Sequence, residues 1–191
     1  MLEASDLELV RSAVGGDDRA FHALVDRHGP ALFRSAVALS RNYADAEDLL
    51  QETFVAAHRG LKNFAGRASV RTWLLKILTR KAFKALHRSR HRRATLSLDA
   101  LDGSRTPSDD RLSDGGIASR HGSTATVEHR LDVMQVLKSL SAPHREILVL
   151  RDLQGLSYEQ IAEVLSVPRG TVESRLFRAR AEFRERFTKD D

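Results

Sequence analysis

Apolar residues recur at spacings of three and four throughout this chain except across one stretch, 95–126, and that interruption sets what the chain can fold into. Strand-like alternation is nearly absent, so the expected fold is all-α. Ahead of the gap, Phe21, Leu24, Val25, Leu32 and Leu39 outline one amphipathic helix or two around a Gly29-Pro30 break, and Ala46, Leu49, Leu50, Thr53 and Ala57 outline the next. With residues 71–93 these make a compact bundle. Beyond the gap, Val127, Leu131, Met134, Leu137 and Leu140 begin a second, smaller one. The intervening residues are mostly Gly, Ser, Thr and Asp, as in Asp102-Gly103-Ser104 and Asp114-Gly115-Gly116. A segment so poor in large apolar side chains cannot offset its ordering entropy. The organisation expected is therefore two small helical domains, 5–94 and 127–188, joined by a flexible linker at 95–126.

Charge is distributed just as unevenly. Residues 53–98 contain twelve Lys or Arg and no Asp or Glu, whereas the whole chain is only +5, which leaves about −7 for the remainder. So concentrated a field suits a polyanion. Within it the run from Trp73 to Leu86 has helical periodicity, with Leu75, Leu78, Ala82 and Leu86 on one side and Lys76, Arg80, Lys84 and His87 on the other. One side can join a core, and the other is free to meet phosphates. Arg88 and Arg92 extend the basic side. Trp73, at the start of that helix, is expected to anchor the core.

The last third contains a helix-turn-helix pattern. Ser157-Tyr158-Glu159-Gln160 has the form of a capping box and opens a short helix that turns Ile161, Ala162 and Leu165 inward. Val167-Pro168 ends it. A second helix from about Arg169 buries Val172, Leu176, Ala179 and Phe183, spaced by four, three and four. Glu173, Ser174, Phe177 and Arg178 are left outward near its N-terminal half, where a recognition helix presents side chains to the major groove. Arg175, Arg180 and Arg184 flank that row and can reach phosphates, which position a protein without specifying sequence.

Other function classes are disfavoured by what is missing. There is no cysteine, which removes disulfides, thiolate metal sites and a cysteine nucleophile. His87 and His91 have the i, i+4 spacing of a metal pair, yet they sit among arginines that repel a cation, so no cofactor or metal is expected. No apolar run approaches the roughly 18 residues of a membrane span. Met1 leads into Glu3 and Asp6 without the basic and apolar regions of an export signal, so a cytoplasmic location without membrane insertion is expected.

Three stretches in this order resemble the extracytoplasmic-function sigma factors, the small promoter-specificity subunits of bacterial RNA polymerase. They are Asp45-Ala46-Glu47-Asp48-Leu49-Leu50-Gln51-Glu52-Thr53-Phe54, then Phe64-Ala65-Gly66-Arg67-Ala68-Ser69-Val70-Arg71-Thr72-Trp73-Leu74, and Gly155 to Ala162 continuing through Gly170-Thr171-Val172-Glu173-Ser174-Arg175-Leu176. The resemblance covers nearly the whole chain. It implies that Asp48, Gln51, Glu52 and Val55, an outward patch on their helix, dock on the β′ clamp helices of core polymerase, with the β subunit as a further contact. It implies also that the loop carrying Phe64, Ala65, Gly66, Arg67, Ser69 and Arg71 holds a base flipped out of the −10 element. Lys76, Arg80, Lys84, Arg88 and Arg92 would take the neighbouring backbone, since an unpaired base exposes its faces and its Watson–Crick edge. Arg169, Thr171, Glu173, Ser174, Arg175, Phe177 and Arg178 would meet the −35 duplex. The partners implied are core polymerase, promoter DNA and an anti-sigma factor, which can hold such a factor near the membrane.

Three positions depart from the family pattern. Many members have Asn followed four residues later by an acidic residue in the −10 helix, where this chain has Arg80 and Lys84. Glu173 stands where Lys or Arg is common, and a carboxylate there repels phosphate but can accept from cytosine N4. Two rivals predict other behaviour. A stand-alone regulator would bind its operator tightly without polymerase, usually as a dimer. A nuclease would use Asp45, Glu47, Asp48 and Glu52 as metal ligands, but Glu47 lies toward the side of the helix and no phosphate-binding glycine loop accompanies them. The absence of a long extension after Phe187 argues against a built-in C-terminal sensor domain.

Overall fold

The computed structural model describes the backbone of residues 4–99 and 124–188, and within these ranges the side chains other than 87, 89–99 and 124–131. Most of the 95–126 linker expectation, and the side chains of Arg92, His87, His91, Val127 and Leu131, lie outside the described residues. All regular structure among the described residues is helical: α1 (Asp6–Val14), α2 (Asp18–Leu39), α3 (Tyr43–Gly60), α4 (Val70–Asp99), α5 (Thr124–Ser139), α6 (Ala142–Leu148), α7 (Tyr158–Leu165) and α8 (Arg169–Phe187). A 3-10 turn, Leu61–Asn63, follows α3, and a π-helical turn, Val149–Leu153, continues α6.

Short polar residues start most of these helices by satisfying orphan N–H groups. Ser5 and Glu8 form a capping box on α1, Asp17 caps α2, and Asn42 Oδ1 accepts from the Asp45 N–H at 2.7 Å on α3. Ser69 does the same for α4, accepting from the Thr72 N–H at 3.1 Å. Helix α2 runs without interruption through Gly29-Pro30, so the choice between one helix and two is resolved as one. Pro30 removes one helical hydrogen bond and costs about 3 kcal/mol in a helix interior. Leu24 and His28 before it and Leu32, Ser35 and Ala36 after it are all buried, and that shared burial holds the two segments in line.

The N-terminal half has its own core, formed by Val10, Leu24, Leu32, Phe54, Ala57 and Leu74 with their neighbours. Asp6 ties α1 onto α2 through Arg27 at 2.7 Å and the buried His28 at 2.9 Å. Trp73 is half-buried against this core, as the sequence suggests. The C-terminal half is α5–α8, with Ile147, Ile161, Val172 and Leu176 fully or almost fully buried. Its helices are not a separate body. Ala36, Ala46, Leu49, Leu75 and Leu78 of the first half share one apolar cluster with Leu150, Leu156, Ile161 and Val164 of the second, and α4 packs along α7. The sequence points to two helical halves but gives no sign of their contact.

Candidate functional site

Three surfaces carry the residues singled out by sequence. The first is on α3. Ala46, Leu49, Thr53 and Ala57 face the interior, and Asp48, Gln51, Glu52 and Val55 are all exposed along one line. They form one wall of an open cleft of about 880 Å³, completed by Ala56, Arg59, Gly60 and, from α4, Lys81. Lys81 Nζ lies 2.9 Å from Glu52 Oε2, and this hydrogen bond holds the Glu52 carboxyl below its ordinary pKa. The cleft thus sets two carboxylates, Asp48 and Glu52, and two cations, Arg59 and Lys81, beside an exposed valine. Lys81 and Arg59 belong to it although sequence did not single them out, because their approach depends on how α3 crosses α4.

The second surface is the loop before α4 and the helix itself. Phe64 is half-buried, with its ring centroid 5.1 Å from that of Trp73, so it anchors the loop. Val70 is buried at the other end, and Ala65, Gly66, Arg67 and Ser69 between them are exposed. Gly66 sits at φ +67°, a left-handed conformation that favours glycine and reverses the chain here. Further along α4, Arg80, Lys84 and Arg88 are exposed and spaced by four, so they form a continuous basic stripe. Arg71 and Lys76 behave differently. Arg71 donates to the backbone oxygen and Oε1 of Gln154, and Lys76 Nζ is 3.9 Å from Glu163 Oε1, so both face the C-terminal half.

The third surface is the helix-turn-helix. The capping box is present, with Ser157 Oγ accepting from the Gln160 N–H at 3.2 Å and Gln160 Oε1 from the Ser157 N–H at 2.8 Å. Ile161 and Val164 are buried, and Ala162 and Leu165 are partly so, which adds Val164 to the expected inward set. The turn is made by Ser166 in a left-handed conformation, φ 55°, ahead of Val167-Pro168. On α8, Glu173, Ser174, Phe177 and Arg178 are exposed together, and Phe177 keeps 74% of its surface open. Thr171, at the start of the same helix, is partly buried. Arg169 bridges two carboxylates, Glu159 across the turn at 3.1 Å and Glu173 one helical turn further along α8 at 3.1 Å. Arg180 is bonded to Asp152 at 2.6 Å and Arg184 is exposed.

Arg175 is half-buried and its charge acts on Glu146 of α6. Burial pushes the Glu146 carboxyl up to about 7, and Arg175 offsets only part of that. Between pH 4.5 and about 7 the unfolded chain ionises this group while the folded chain keeps it protonated, so the unfolded state binds fewer protons. Its contribution to stability is complete below pH 4.5 and is lost as pH rises through about 7. The whole swing is roughly 3 kcal/mol at most. Glu146→Gln is expected to remove this slope, so that urea unfolding from pH 5 to 8 shows the wild type losing ground against the variant. Parallel profiles would place the carboxyl in contact with water.

An exposed row on the helix that follows a capped helix and a tight turn, joined to a half with an exposed basic stripe, is the arrangement of a DNA-binding transcription factor of the all-α class. Comparison with known proteins narrows this. Sigma-70 region 2 matches residues 24–93 and Sigma-70 region 4 matches residues 130–183. The RNA polymerase sigma-H factor of Pseudomonas aeruginosa is 34% identical over 180 residues, which is 94% of this chain and 92% of that one. The ECF RNA polymerase sigma-E factor of Escherichia coli K12 is 34% identical over 178 residues, 93% of this chain and 92% of that one. Among solved structures, CnrH in complex with the cytosolic domain of CnrY is similar at TM-score 0.68 and 28% identity, over 99% of this chain and 100% of that one. The sigma factor RpoE in complex with the anti-sigma factor NepR from Bartonella quintana is similar at TM-score 0.64 and 28% identity, over 90% and 98%. The chain belongs to the extracytoplasmic-function sigma factors; it directs transcription initiation and is not itself an enzyme. Among the described residues no helix is long and apolar enough to cross a membrane.

Proposed function

We propose that the two halves divide promoter recognition, residues 5–94 docking on core polymerase and capturing the melted −10 strand while residues 127–188 read the −35 duplex across a 95–126 linker. The observation that carries this reading is the row Glu173, Ser174, Phe177 and Arg178, exposed together on the helix that follows the turn. On α3, Asp48, Gln51, Glu52 and Val55 are the docking residues, set against the β′ clamp helices by family resemblance. Between them the exposed loop residues Ala65, Gly66, Arg67 and Ser69 suit an extruded base, with Phe64 supporting the loop from behind. The stripe of Arg80, Lys84 and Arg88 suits the adjoining backbone, and Arg92 would continue it. The likeness to RpoE bound to NepR supports an anti-sigma factor as a further partner, and a cytoplasmic place of action follows from the polymerase it serves.

At the −35 element Arg169 acts as a positioning residue. It holds Glu173 toward cytosine N4 instead of contacting a phosphate itself. Phe177 offers an apolar face to a thymine methyl, and Arg178 is the residue set to read guanine. Arg178→Ala is expected to lower affinity for a matched −35 duplex by about 1–3 kcal/mol and to relax preference at one base pair. Arg88→Ala is expected to weaken binding to all sequences and to reduce the salt slope by about one. Both are measured by polymerase-dependent binding to matched and scrambled promoters across a salt series. Equal losses for Arg178→Ala on matched and scrambled −35 DNA would remove base reading from that side chain. Reconstituted transcription with core polymerase, with start sites mapped across a genome, tests the reading as a whole.

A further inference from the structure

Lys81 stands on a border between two of the surfaces. It belongs to α4, three residues before Lys84 and seven before Arg88, so it lies on the same side of the helix as the basic stripe and forms its edge toward α3. Its ammonium is nonetheless held across the helix crossing, with Nζ 2.9 Å from Glu52 Oε2 at the wall of the α3 cleft. Glu52 is tied to more than this one cation. The hydrogen bond and charge of Lys81 hold its carboxyl below the ordinary range, and the charges of Arg88 and Lys84 lower it further. One carboxylate is therefore the counterion of three cations along the stripe, although it is also one of the residues assigned to polymerase docking. Water reaches both members of the pair, 58% of the Glu52 side chain and 29% of Lys81, so the pair is weak enough to be exchanged.

We propose that Glu52 changes partners on docking: in the free protein it keeps Lys81 from DNA, and when a cation of core polymerase takes Glu52, Lys81 turns to the stripe and becomes a further phosphate contact of the −10 strand. The proposal rests on the assignment of α3 to polymerase and of the α4 stripe to DNA. No movement of the backbone is needed. A lysine carries its charge on a flexible four-carbon stem, so a change of rotamer redirects Nζ while the stem keeps its apolar contacts. Asp48 is the other carboxylate lining the cleft, one helical turn back from Glu52, and it docks together with Glu52, so the occupied cleft leaves Lys81 no second carboxylate there. From where it stands the Glu52 charge also repels phosphate, and its neutralisation therefore acts on Lys84 and Arg88 as well. The two bindings are thereby coupled. By linkage, a strand bound on α4 strengthens docking on α3 by the same factor as docking strengthens strand binding.

Fluorescein-labelled oligothymidine titrated with the full-length free protein across a salt series reads the strand contact without polymerase. Glu52→Gln should bind it at least about threefold more tightly than wild type, with a salt slope steeper by about 0.7, the increment of one single-strand phosphate. Glu47→Gln removes the same charge from an exposed position on α3 outside the cleft, so it measures the gain from net charge alone. Lys81→Met keeps the stem and removes the ammonium. Combined with Glu52→Gln it restores the net charge of the wild type, and affinity and slope should return to wild-type values. In the holoenzyme, at saturating core polymerase, Lys81→Met alone should weaken binding of a −10 single strand at least about threefold. A gain for Glu52→Gln no larger than that for Glu47→Gln would overturn the restraint by Glu52. A gain that survives Lys81→Met would overturn Lys81 as the contact, and a holoenzyme indifferent to Lys81→Met would overturn its release on docking. Failure of the underlying reading shows separately: oligothymidine binding untouched by Arg88→Ala would sink the basic stripe, and core affinity untouched by Glu52→Gln would sink docking through Glu52.

Discussion

Replacing Asp48, Gln51 and Glu52 together with Ala is expected to lower affinity for core polymerase at least about tenfold while leaving the fold in place, because truncating charged groups at a desolvated interface costs about 2–5 kcal/mol. The fold should tolerate the change. All three side chains are exposed, and exposed substitutions move stability by about half a kcal/mol each. Among the described residues the partner lost in the free protein is Lys81, whose pair with Glu52 is open to water and worth under about 1 kcal/mol. Fluorescence anisotropy of the labelled factor titrated with purified core reads the affinity, and circular dichroism reads the fold. Undiminished association of a folded triple variant would move polymerase docking off α3.

How much of this site can be read from sequence depends on whether the deciding contact lies within one helix. The outward line on α3 and the recognition row on α8 follow from 3.6-residue periodicity, because the inward residues of each are apolar and evenly spaced. The capping box of α7 is equally local. Helix α1 carries the same local signal in Ser5 and Glu8, but its apolar run is too short to define a period. Pro30 marks the opposite case. Local rules favour a break, and burial on both sides overrides them. Lys81 reaches Glu52 only through a helix crossing, Glu146 looks like any helical glutamate until α8 covers it, and Gln154 meets partners 83 to 123 residues away. Those are properties of packing between elements, and no periodicity within an element encodes them.

The loop from Phe64 to Arg71 should show the sharpest separation between making DNA single-stranded and using it once it is so. Removing Ala65, Gly66 and Arg67 leaves both anchors, Phe64 against Trp73 and the buried Val70, and takes away only exposed residues. If this segment holds a flipped base, its binding free energy offsets unpairing, which costs a few kcal/mol at a paired site and nothing at an unpaired one. Run-off transcription from a closed duplex promoter should therefore fall at least about tenfold, whereas a template with a pre-melted −10 bubble should lose little. Arg67→Ala, which keeps the loop length, should show the same preference more weakly. Binding to core polymerase should survive both changes, because the residues proposed to dock sit on α3 and the loop lies beyond it. Equal loss on duplex and bubble templates would assign the loop to folding or to polymerase contact, and strand capture would then have to come from the basic stripe of α4 alone.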